Sequence, residues 1–129
     1  MGTIETHIDP EKDLTIHTAS GEISADEILG RIRSYYAGEV TSLLMWDLTA
    51  ADLRSLTASD VQQFVDLTNS VTAPRAGGKT ALVVSTTLAF GMGRMYELSK
   101  DLAADQIGRK TFRDRKTALE WLGVPAEDE

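Results

Sequence analysis

Two short stretches carry the side chains best equipped for chemistry. In the first, Asp47 and Thr49 follow the apolar run Leu43-Leu44-Met45-Trp46, with Ser55 and Thr57 a few residues on. A carboxylate beside a hydroxyl at a strand end is a minimal acid/base or phosphorylation site. One carboxylate with no partner histidine or second acid, however, lacks what proton transfer needs. The alternative reading is structural, with Asp47 ordering its loop by accepting backbone amides and the hydroxyls capping the next helix. Ser55, Thr57 and Ser59 are also phosphoacceptor candidates at a helix start, where added negative charge suits the helix and repels an acidic partner. In the second stretch, Ser85, Thr86 and Thr87 follow Ala81-Leu82-Val83-Val84 and lead into Phe90, Met92, Arg94, Met95 and Tyr96. Where a parallel strand delivers the chain into a helix, unpaired amides and the positive end of the helix dipole face a crevice. Either Thr86 or Thr87 is a cap and Gly91 and Gly93 permit close helix packing, or the aromatic and methionine side chains line a site for an apolar, lipid-like guest with Arg94 available to its acidic headgroup.

Other candidates fall away on spacing. Gly78-Lys79-Thr80 has the end of a phosphate-binding loop, but the required first glycine falls at Ala73 and the segment leads from helix to strand, the reverse of what phosphate cradling needs. Gly91-Met92-Gly93 lacks the third glycine of a dinucleotide fingerprint, because Tyr96 stands there. His7 and His17 have no cysteine and no helical histidine pair near them, so no metal or other cofactor is expected. No Gly-x-Ser-x-Gly elbow is present, and the expectation is a protein that is not an enzyme.

The elements that must position these residues follow from hydrophobic period. Ile4, Thr6 and Ile8 alternate, as do Leu14, Ile16 and Thr18, around the turn-forming Asp9-Pro10-Glu11-Lys12-Asp13, which reads as a hairpin. Ser24-Ala25-Asp26-Glu27 is a capping box, and Ile28, Leu29, Ile32, Tyr35 and Tyr36 trace a helical stripe that ends at Gly38. Leu43-Leu44-Met45-Trp46 and Ala81-Leu82-Val83-Val84 are continuous apolar runs, as in strands covered on both faces. Between them a second helix carries Val61, Phe64, Val65, Thr68 and Val71 up to Pro74, followed by a mobile connector, Arg75-Ala76-Gly77-Gly78-Lys79. A third helix runs through Leu88, Met92, Met95, Leu98 and Leu102. A last strand over residues 107–112 passes through Asp114 into a helix of Ala118, Leu119 and Leu122, stopped by Gly123 and Pro125. The order ββαβαβαβα predicts an α/β domain over residues 1–124, with a mixed five-stranded sheet, four helices and right-handed crossovers, and a disordered acidic tail over 125–129.

Composition narrows the partners. The chain has 129 residues, no cysteine and a net charge of −7, with 12 acidic and 4 basic side chains in residues 1–72 against 8 and 9 in residues 73–129. Nucleic acid is not an expected partner, since phosphate affinity needs cationic neutralisation. Arg109, Lys110, Arg113, Arg115 and Lys116 form a local basic cluster, either a solvated edge or a patch for an acidic partner. No apolar run approaches the roughly 18–20 residues of a membrane span and the start lacks a leader pattern, so the expectation is a soluble, cytoplasmic protein.

These ordered elements, with Phe90-Gly91-Met92-Gly93-Arg94-Met95-Tyr96-Glu97 and the closing Phe112-Arg113-Asp114-Arg115-Lys116-Thr117-Ala118-Leu119-Glu120-Trp121-Leu122, resemble the SpoIIAA-like family of small bacterial proteins. That family is related to STAS domains, the anti-sigma-factor antagonists, and is grouped with Sec14-type lipid-binding folds. The resemblance implies a domain that acts by binding. Its partner is another protein or a second copy, as in a homodimer, or alternatively an apolar or anionic small molecule in the crevice after the third and fourth strands. In STAS antagonists the strand equivalent to 43–48 leads to an Asp-Ser-Ser-Gly loop with a phosphorylated serine. Here that place reads Ser55-Leu56-Thr57-Ala58, with Leu56 at the phosphoserine position, and the phosphoswitch does not carry over.

Overall fold

The turn between the first two strands is built from its own aspartates. Asp9 Oδ1 accepts from the Glu11 amide at 3.1 Å, and Asp13 takes a left-handed φ of 52°. In the computed structural model, which describes residues 2–71, 75, 77–98 and 107–124, this turn joins β1 (Thr3–Asp9) to β2 (Leu14–Glu22) as an antiparallel hairpin. There follow α1 (Ala25–Ala37), β3 (Leu43–Asp52), α2 (Ala58–Val71), β4 (Lys79–Val83), α3 (Thr87–Leu98), β5 (Gly108–Phe112) and α4 (Arg115–Leu122). The expected α/β architecture of five strands and four helices is the one observed. The expected tail over 125–129, Pro125, and Leu102 of the third helix's stripe lie outside the described residues.

The sheet order is β1-β2-β3-β4-β5, with β2 to β5 all parallel. Each crossover therefore steps the same way across the sheet, and right-handed connections that all step one way place their helices on one face. Accordingly α1, α2 and α3 pack over Ala19, Leu44, Trp46 and Val84. The opposite face, with Leu14, Ile16, Met45, Ala81, Val83 and Phe112, is closed by Ala118, Leu119 and Leu122 of α4. Both caps of α4 are as the sequence predicts: Asp114 accepts from the Thr117 amide at 2.8 Å, and Gly123 adopts the left-handed φ of 83°.

Two segments depart from expectation. The strand beginning at Leu43 does not end near Asp47. It continues to Asp52, because after a register shift at Thr18/Ser20 the far end of β2 goes on pairing with it (Ser20 with Ala50, Glu22 with Asp52). The connector before β4 is pinned at Arg75, which is 2% exposed. Its guanidinium donates to the carbonyls of Thr41, Ser42 and Lys79 and to the hydroxyls of Tyr36 and Thr80, at 2.8–3.2 Å. Gly78 is required beside it, since a Cβ there would collide with the Ser42 carbonyl oxygen.

Candidate functional site

The sequence-predicted residues divide between two places. Asp47, Thr49 and Ser85 meet where β4 ends alongside the middle of β3, with Asp47 opposite Val83. Ser85 Oγ donates to the Thr49 carbonyl at 2.9 Å. Asp47 Oδ1 accepts from the Thr49 amide at 3.1 Å and from its hydroxyl at 2.7 Å, while Oδ2 pairs with Arg115 at 2.8 Å. Burial alone raises the Asp47 pKa. The Thr49 bonds and the guanidinium outweigh it and hold the carboxyl below its ordinary range. This aspartate is thus ionised and occupied, tying α4 to the sheet.

The remaining hydroxyls are caps. Thr57 and Asp60 form a reciprocal pair at the start of α2, with Asp60 N to Thr57 Oγ1 at 3.1 Å and Thr57 N to Asp60 Oδ2 at 2.9 Å. Ser55 Oγ donates to the Ile23 carbonyl at 3.4 Å. Thr86 caps α3 through the Ala89 amide at 3.0 Å, and Thr87 opens that helix, exposed. Arg94 pairs with Glu97 at 3.3 Å, and Met95 is 43% exposed. Phe90 lies beneath Arg113 at 4.7 Å, one of several contacts that use the basic cluster. Arg109 stacks on Tyr96 at 4.7 Å and donates to Asn69, and Lys110 stands over Phe112.

Of the predicted set, only Met92 and Tyr96 line an apolar concavity whose walls run on to Leu48, Leu53, Leu56 and Val84, toward the carboxyl ends of β3 and β4. It is a cavity of about 90 Å³ between the sheet and the three crossover helices. One water needs about 10–15 Å³, and an apolar cavity of about 150 Å³ takes a benzene. Well-packed interiors hold few voids of this size. Its floor is His17, Leu44, Trp46, Leu82 and Val84. Ile28, Ile32 and Tyr35 of α1, Phe64 of α2, and Ala89 and Met92 of α3 close it above.

His17 is the polar group set into this lining. It is fully buried, with its ring 4.5 Å from that of Trp46 and edge-on to Tyr35 at 5.5 Å. Nδ1 lies 2.8 Å from Thr6 Oγ1, which in turn accepts from Arg31 at 3.1 Å. Nε2 has no hydrogen-bond partner among the described residues. Desolvation, reinforced by the Arg31 and Arg75 charges, lowers the His17 pKa to about 3, so the ring is neutral at physiological pH. Nothing in the local sequence marks His17 except its place in the alternation Thr15, His17, Ala19, whose burial depends on which face the helices cover. No group of three or more acidic, histidine or cysteine side chains suited to a metal ion occurs among the described residues.

No protein-family model matches the chain, and no curated protein does. Among solved structures, it is similar to an uncharacterized protein of the DUF3478 family from Shewanella loihica PV-4, which has a SpoIIAA-like fold. The identity is 18% and the TM-score 0.53, over 94% of this chain and 93% of that one. The fold described above is therefore SpoIIAA-like. Among the described residues, no helix is long and apolar enough to cross a membrane.

Proposed function

We propose that this domain acts by binding rather than by turnover, and that what it binds is a small apolar molecule held between the sheet and α1–α3. The observation that carries this reading is the cavity of about 90 Å³, walled almost wholly by aliphatic and aromatic side chains in an otherwise closely packed core. The strand-tip cluster offers no competing site, since Asp47 and the hydroxyls of Ser55, Thr57 and Thr86 are engaged in ordering the chain. Solvent extraction of freshly purified protein, followed by mass analysis, should recover a compound in stoichiometric amount. The same compound should be missing from Ala89→Met, which fills the cavity from α3. Protein that is empty from every expression host would overturn the proposal.

A second reading, a surface for a protein partner or a second copy, is favoured by one feature. Leu88 and Met95, seven residues apart on α3, are 52% and 43% exposed and lie on one face of that helix.

A further inference from the structure

His17 is a buried ring with one nitrogen engaged and one not, and the engaged side bears on which nitrogen carries the proton. Arg31 can only donate, so Thr6 Oγ1 accepts from it; Arg31 also donates to the Ile4 carbonyl at 2.8 Å. The Thr6 hydrogen is then free to point at His17 Nδ1, 2.8 Å away, completing a chain from Arg31 through Thr6 to the imidazole. In a neutral ring that accepts at Nδ1, the proton resides on Nε2. Nδ1 is engaged toward β1, while the ring joins Leu44, Trp46 and Leu82 in the cavity lining and leaves Nε2 unengaged. With the proton there, Nε2 is a buried N–H with no protein acceptor among the described residues, the kind of group native structures rarely leave unmet.

We infer that the cavity selects a small, uncharged apolar molecule bearing one acceptor oxygen, a ketone, aldehyde or ester carbonyl, which His17 Nε2–H recognises. This rests on the proposed binding role of the cavity and adds the polar end of its occupant. Charge is disfavoured because a carboxylate would find a single donor in an apolar recess, whereas every N–H of the nearby Arg75 guanidinium is already spent on protein oxygens. One orphan donor matches one neutral acceptor.

The test uses acetone and isobutene, equal in shape and differing only in the oxygen, on wild type and His17→Phe. Methyl and ring NMR signals of Ile28, Ile32, Leu82 and Trp46 report entry, with isobutene supplied under pressure. The expected result is that both guests enter both proteins and that the affinity of acetone relative to isobutene falls about tenfold in the variant, the worth of one hydrogen bond of about 1.4 kcal/mol. In the wild type, nitrogen-15 NMR should find the His17 proton on Nε2 and that signal should move with acetone but not with isobutene, a readout that holds even if His17→Phe fails to fold. If neither guest enters, the binding role of the cavity fails and this inference with it. If both enter with the same relative affinity in both proteins, or the proton sits on Nδ1, or acetone leaves Nε2 unmoved because only water meets it, the acceptor-oxygen inference is overturned while the cavity reading stands.

Discussion

Replacing His17 by phenylalanine should change how the fold responds to acid, by an amount set by the burial of one ring. In the unfolded chain the imidazole titrates near its ordinary value of 6.5, and in the folded protein at about 3. Between those values the unfolded state takes up a proton that the folded state refuses, so stability is fully present above about pH 6.5 and is lost as pH falls toward 3. The slope is about 1.4 kcal/mol per pH unit, or about 3 kcal/mol between pH 6.5 and pH 4.5. Phenylalanine keeps the ring contacts with Tyr35 and Trp46 and has nothing to protonate. It also removes the orphan N–H, a relief of about 1–3 kcal/mol set against about 1 kcal/mol for the lost Thr6 bond. Carboxylates such as Asp47 titrate alike in both proteins and cancel in the difference. Urea unfolding of the two proteins at pH 7, 6, 5 and 4.5 supplies the measurement. Stability should be similar or modestly higher for the variant at pH 7, and the gap should widen by about 3 kcal/mol at pH 4.5. A gap that stays constant across that range would refute the assignment of His17 as a ring held neutral by burial.

Other substitutions probe the frame around the cavity. Gly93→Ala places a Cβ 2.6 Å from the Thr111 side chain and should cost about 1–3 kcal/mol in chemical denaturation. Gly91→Ala, two residues away with open space around it, should be neutral or stabilising by up to about 1 kcal/mol. Arg75→Met strips five donors from three carbonyls and two hydroxyls and should lower unfolding free energy by at least about 3 kcal/mol; a loss under about 1 kcal/mol would show those oxygens find other donors. Thr57→Ala should cost about 1 kcal/mol through the lost cap of α2, whereas Thr57→Asp, able to accept the same amide, should cost much less, as read from thermal unfolding.

Much of the fold could be read directly because local signals and tertiary outcome agree. The box of Ser24 and Glu27 does start α1, with Glu27 N to Ser24 Oγ at 3.2 Å and Ser24 N to Glu27 Oε1 at 2.9 Å. The run Leu43–Trp46 is indeed a central strand covered on both faces. The site was less legible, because it depends on which face of the sheet the crossovers cover. Along β2 the period places Leu14 and Ile16 on one side and Thr15 and His17 on the other, and polar residues at alternate positions look half-solvated. Three helices on that side bury them instead. Arg75 in a glycine-flanked connector likewise looks like a solvated cation. Only the coming together of the Thr41, Ser42 and Lys79 carbonyls makes it a buried anchor. The sequence period places Leu88 and Met95 on one apolar stripe with Met92. A helix seated on a sheet hides only part of its circumference, so Met95 turns outward while Phe90 lies beneath Arg113.

Since every strand sits next to the one made just before it, a growing chain can add ribbons from one border to the other without waiting for a distant partner. The two layers are not finished together, however. Leu14, Ile16, Met45 and Val83 stay uncovered on their side until the last short helix emerges. Loss of that helix would leave the sheet with a broad greasy surface, the condition in which folding intermediates clump.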